Sequence, residues 1–386
     1  MKRVGICLIV AVLIAGMMGC PADPDPTPSL DLEIRTWYDL DAIRDNLSGH
    51  HRLMNNLDAT TAGYEELASE TANDGKGWQP IGARRSAFTG SFDGQGHEIR
   101  DLSINRPDED YVGLFGNVGE GGVINNVRVV SGGVTGNKVV GGLAGHNSGT
   151  VSNSYSSVSV NGETLVGGLA GGNVGTVSNC YGTGSVTGGS SVGGVVGINS
   201  IAPELLSYPD GAMTNEGDVR APTGSKHGTV SNCYSSGNVI GDERVGGLVG
   251  SSMGTISHSY ATGNVSGDSS VGGLVGNKFL GSLSNCYSTG YVTGNEYVGG
   301  LVGWLDRGEV SGCFWNIETS AREWSAGGTG KTTAEMMDIA TYTDTATEGL
   351  DEPWDIIAVG PGETDDGYIW NIVDEQTHPF LSWQSV

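Results

Sequence analysis

Basic residues are scarce. Lys and Arg total 19 against 44 Asp and Glu, a formal charge of −25 over 386 residues. Such a chain is repelled by phosphates, which argues against a nucleic-acid partner. Long apolar runs are also scarce. Val4–Met18 is the one candidate, so a polytopic helical membrane protein is excluded. Proline is low, at 12, and glycine does not recur at every third position, so collagen is excluded. No His-Glu-x-x-His string occurs, which removes the helical zinc-peptidase motif. Aromatics make up 7% and cysteines number 6. Glycine is what abounds: 66 residues, well over twice the ordinary usage of about 7%.

The N-terminus reads as an address. Lys2 and Arg3 precede the apolar core Val4–Met18, which Gly19-Cys20 closes. This core is short for a bilayer span, so a secretory signal is preferred to a stable anchor helix. The segment resembles a bacterial lipoprotein signal, although Met17 and Met18 depart from its usual pattern. The resemblance implies a signal over 1–19 and lipidation at Cys20. An uncleaved anchor or a non-lipidated signal is the alternative; either way the mature chain is extracytoplasmic. Pro21, Pro24, Pro26 and Pro28 make 20–30 an extended acidic tether.

The middle is a repeat. Gly113-Leu-Phe-Gly116 recurs as Gly142–Gly145, Gly168–Gly171, Gly194–Gly197, Gly247–Gly250, Gly273–Gly276 and Gly300–Gly303. The spacings are 29, 26, 26, 53, 26 and 27 residues, so the 53 is one period carrying an insertion over 198–226. Each period holds three short Val-rich runs and no helix-length stretch of helix formers. The expected fold is all-β: a right-handed parallel β-helix, or β-solenoid, with one repeat of ~26 residues per coil. Coils stacked about 4.8 Å apart would pair each strand with those above and below.

The columns fix a register. Val151, Val177, Val230, Ile256, Leu283 and Val310 form an inward apolar ladder. Asn153, Asn179, Asn232, His258, Asn285 and Gly312 follow two residues later and predict a left-handed bend. A bend resets alternation, so Ser154, Cys180, Cys233, Ser259, Cys286 and Cys313 also point inward. Tyr155, Tyr181, Tyr234, Tyr260 and Tyr287 come next and should point outward as a stacked aromatic strip. This strip is the candidate binding surface. The bland alternative is that the rings only stabilise one another.

The repeats, followed by Gly-Thr-Val-Ser-Asn-Cys-Tyr as in Gly175–Tyr181, resemble the GLUG-motif proteins of bacterial surfaces. Phe88–Ile99 and Cys313–Asn316 with Gly327–Thr333 resemble their flanking segments. The resemblance implies an adhesin-like surface protein. Similar repeats lie beside the peptidase domains of IgA-degrading metalloproteases, but no peptidase motif is present to carry that activity over. The organisation reads as cap and first coils over 31–110, solenoid over 111–325, and C-terminal cap over 326–386. Leu40, Ile43 and Leu47 suggest a helix over Trp37–Leu47, and a second is expected at Thr333–Ala340.

Other chemistry is sparse. Gly327–Thr333 lacks the first glycine of a phosphate loop, because Ser325 holds that place, so no nucleotide is expected. Asp242-Glu243-Arg244 reads as a solvated turn. With Cys7 in the signal and Cys20 lipidated, four cysteines remain, read as buried thiols rather than cross-coil disulfides. No catalytic residue, metal or cofactor is expected. The leading reading is a non-catalytic, lipid-anchored surface scaffold that touches a membrane and a glycan or protein ligand. The runner-up is a carbohydrate-binding or carbohydrate-active β-helix.

Overall fold

The computed structural model describes residues 31–200 and 227–384. The signal, Cys20 and the tether lie outside them, as does most of the insertion. Ile198 and Asn199, expected in the insertion, are ladder residues that end the strand Val196–Asn199.

The fold is a parallel β-solenoid. One coil consists of Thr164–Gly167, Ala170–Asn173, Thr176–Ser178, Tyr181–Gly182 and Val186–Thr187. The three Val-rich runs thus become five strands. The Gly-Leu-x-Gly corner and the Asn bend each break a run that hydrophobicity alone leaves continuous. Every strand pairs in parallel with its equivalents, as in Val151↔Val177↔Val230↔Ile256↔Leu283↔Val310. All of that column is fully buried except Val310, on the last coil. The pairing Val177↔Val230 also shows that the insertion leaves and rejoins without shifting register.

The bend column is left-handed throughout. φ is 48° at Asn153, 52° at Asn179, 53° at Asn232, 47° at His258, 51° at Asn285 and 54° at Gly312. Asn side chains also bridge coils: Asn179 Nδ2 donates to Asn153 Oδ1 at 3.1 Å. The inward Ser/Cys column is buried, and its cysteines are free thiols. Cys180 and Cys286 donate to the Ser178 and Ser284 carbonyls at 3.1 Å. Burial pushes both thiols well up, so neither supplies a reactive thiolate.

A second left-handed column is less expected. Val139, Leu165, Ser191, Arg244, Ser270 and Tyr297 have φ between 52° and 59°. Such a conformation costs about 1–2 kcal/mol for ordinary residues. The motif's last glycine explains how it is held. A Cβ on Gly250 would lie 2.5 Å from the Ser191 carbonyl carbon and the Val192 nitrogen. Only glycine lets one coil's second strand press onto the kinked first strand of the coil before it.

A buried polar ladder runs behind this corner. Asn147 Nδ2 donates to Asn173 Oδ1 at 2.8 Å, and Asn173 Nδ2 to Asn199 Oδ1 at 2.9 Å. Ser252 and Lys278 continue the same register. Lys278 is fully buried. Its Nζ donates to Ser252 Oγ at 3.4 Å, to the Leu280 carbonyl at 2.6 Å and to the Gly254 carbonyl.

Both ends are closed. A helix, Trp37–Asp41, begins at a Thr36/Asp39 capping box and continues as the 3-10 turn Ala42–Asp45. It is shorter than the expected Trp37–Leu47, but Trp37, Leu40 and Ile43 are fully buried in the solenoid core. The C-terminal unit has helices Thr333–Met336 and Ala340–Thr343 and strands Ile356–Ala358, Trp370–Ile372 and Phe380–Leu381. The helix expected at Thr333–Ala340 is split: the first ends at the C-cap Met337, and Asp338 Oδ1 accepts from the Ala340 N–H at 2.8 Å in the turn before the second.

Candidate functional site

The five tyrosines stack in register, with Phe314 ending the column. Centroid separations are 4.4, 4.7, 5.1 and 4.9 Å from Tyr155 to Tyr287, with interplanar angles of 16° or less. The coil repeat imposes this spacing and the bend aims the rings away from the inner ladder. The faces are therefore consumed within the stack, which leaves edges and hydroxyls on the outside.

The strip is not open along its length. Tyr260 and Tyr287 are 7% and 2% exposed and Phe314 is fully buried. They share one cluster with Met336, Tyr342, Trp354, Trp370 and Leu381 of the C-terminal unit. That unit closes over the flank of the last coils, so these two tyrosines cannot meet a ligand while it is docked. Tyr155, Tyr181 and Tyr234 remain partly exposed. Sequence periodicity could place the column but could not reveal a long-range cover.

The open end carries charge. The Arg128 guanidinium lies 5.8 Å from the Tyr155 ring centroid. Tyr155 Oη donates to Glu98 Oε1 at 3.5 Å, and Glu98 pairs with Arg100. Burial, then Glu98, raises the Tyr155 phenol, and burial, then neighbouring phenols, raises that of Tyr181. The tyrosines stay protonated near neutrality and act as hydroxyl donors, not as bases.

Other candidates resolve structurally. Lys331 sits on the strand Thr329–Lys331, its Nζ 5.8 Å from the Phe314 ring centroid, spent on packing rather than on a phosphate. Arg244 departs from the solvated turn expected of it: its side chain is 14% exposed, 3.6 Å from the Glu243 carboxylate, because the corner kink turns it against the coil. Among the described residues no group of three or more His, Cys, Asp or Glu is placed to hold a metal, and no helix is long and apolar enough to cross a membrane.

This geometry defines a class: a glycine-cornered β-solenoid with an external tyrosine stack. The family model described as the GLUG motif matches residues 241–266, so the chain carries that motif. Halomucin of Haloquadratum walsbyi is 41% identical over 134 residues, which is 33% of this chain and 1% of halomucin. A protein described as a Gly-rich membrane protein of Evansella cellulosilytica is 35% identical over 125 residues, 31% of this chain and 14% of that one. The chain thus spans only a small part of these relatives. A solved structure of a candidate immunoglobulin A1 protease from Bacteroides ovatus aligns with a TM-score of 0.50 and 18% identity. The alignment covers 91% of this chain and 92% of that one. At that identity the likeness concerns the fold alone.

Proposed function

We propose that this chain is a non-catalytic surface protein: an extracytoplasmic, lipid-anchored β-solenoid that acts as a rigid adhesin-like scaffold. Its contact surface is the open end of the tyrosine strip, Tyr155 and Tyr181 with Arg128 and Glu98. The observation that carries this reading is the stack itself. With ring faces spent on one another, edges, hydroxyls and a guanidinium remain, which suit a polypeptide better than a sugar ring that needs a flat aromatic face. The matches to halomucin and to a Gly-rich membrane protein support a surface address. The match to the GLUG motif supports a non-enzymatic role.

The test is attachment. Tyr155→Ala with Tyr181→Ala should abolish binding to a protein-coated surface, with melting temperature lowered only slightly. Retained attachment per folded molecule would discard the strip as the contact surface. Selective binding of the parent to a glycan array would favour the carbohydrate reading instead. For the anchor, Cys20→Ala should lose fatty-acid labelling, and equal labelling of mutant and parent refutes lipidation there.

A further inference from the structure

One short segment covers the middle of the strip. The His378 ring stacks on Tyr287, with centroids 6.2 Å apart and 16° between planes. The Pro379 carbonyl accepts from Tyr287 Oη at 2.5 Å. Gln384 Nε2 donates to Tyr260 Oη at 2.8 Å. Trp383 lies 5.8 Å from Tyr234 and 6.0 Å from Tyr181 and keeps 36% exposure. Seven residues therefore touch four successive rungs. Their strand pairing is slight: Trp370↔Leu381 and Asn371↔Phe380. His378 Nε2 is buried and has no hydrogen-bond partner.

We propose that His378–Gln384 is an acid-released strap, lying over the strip at neutral pH and lifting when His378 is protonated, which extends the open end of the strip to Tyr234 and the Tyr260 hydroxyl. The use of the uncovered rings rests on the reading of the strip as a contact surface; the release does not. A protonated imidazole at this position would bury an N–H and a charge without a partner. The titratable group stacked against it is the Tyr287 phenol, which burial and then Tyr260 and Tyr342 raise. All three phenols are raised by burial and stay neutral, so none supplies a counter-charge. Burial alone holds His378 below its usual value. The sign follows: docking is complete above the ordinary histidine value of about 6.5 and weakens as pH falls below it. His258, on the neighbouring bend, differs because the Asp355 carboxylate partly offsets its burial.

Hydrogen exchange on the full chain reads the strap directly. Acidification from about pH 7.5 to about pH 5, corrected for intrinsic rate, should cut protection of 378–384 about tenfold relative to the solenoid strands. His378→Phe, which keeps a ring on Tyr287 but cannot be charged, should hold protection at both values. His258→Asn, the residue of neighbouring bends, should respond as the parent does. Unchanged protection in the parent, or an equal loss in His378→Phe, would overturn the strap. Failure of attachment with a normal strap response would instead discard only the contact-surface reading.

Discussion

Val230 and Ser231 are adjacent, yet the coil gives them opposite environments. Val230 is fully buried between Val177 and Ile256, whereas Ser231 faces partly outward. Val230→Asp buries an unpaired carboxylate and should destabilise by several kcal/mol. Ser231→Asp should cost under about 0.5 kcal/mol. Thermal or denaturant unfolding of both variants tests the register, and equal losses would contradict it. This alternation was legible because period-2 patterning survives even in three-residue strands. The Asn bend was legible too, because Asn tolerates positive φ. Val139 and Leu165 were not. Nothing in a β-branched or bulky residue announces a left-handed backbone, and tertiary contact with the next coil holds it there.

The Gly-Leu-x-Gly corner is the element that makes the coil. Its Leu is buried in the core, as at Leu169, Leu248 and Leu274, while its glycines admit neighbouring backbones. Gly250→Ala would place a methyl 2.5 Å from two backbone atoms of the preceding coil. The strands are locked by pairing on both sides, so the strain has little room to relax. Loss of about 1–3 kcal/mol is expected. Gly133→Ala is the control, since the nearest atom to its Cβ is the Ser159 carbonyl oxygen at 3.9 Å and its φ is not positive. It should change stability by less than about 0.5 kcal/mol. A similar loss in both variants would overturn close approach as the reason for this glycine, since removing chain entropy from the unfolded state stabilises rather than destabilises. The motif's recurrence was plain in the sequence, but the reason for its second glycine was not. That reason lies in a contact between coils roughly one period apart. The same limit hid the cover on Tyr260 and Tyr287, whose partners Trp370 and Gln384 lie far along the chain.

Across the molecule, the buried basic groups shift in one direction. Burial lowers His51, His258 and His378, and holds His146 at about 4. Lys278 has three acceptors that favour its ammonium, but burial outweighs them and lowers it to about 7. For each group the unfolded chain takes up a proton at a higher pH than the native chain does. Stability therefore falls as pH falls, through about 10.4 to about 7 for the lysine and below about 6.5 for the histidines. The tyrosines act oppositely. Burial raises Tyr234, Tyr260, Tyr287 and Tyr342, so the unfolded chain loses those protons first and stability falls again above about pH 10. Together the two limbs predict maximum stability on the alkaline side of neutrality, although the chain is strongly acidic. Lys278→Asn introduces the residue that the earlier coils carry in this register, at Asn147, Asn173 and Asn199, so it should flatten melting temperature between about pH 7 and 10. The acid limb should remain, because it belongs to the histidines and, at lower pH, to the lowered carboxyls of Asp58, Glu109, Glu318 and Glu335. If the variant keeps the parent's slope across that window, Lys278 is charged in the native state and its three acceptors, rather than burial, govern its proton.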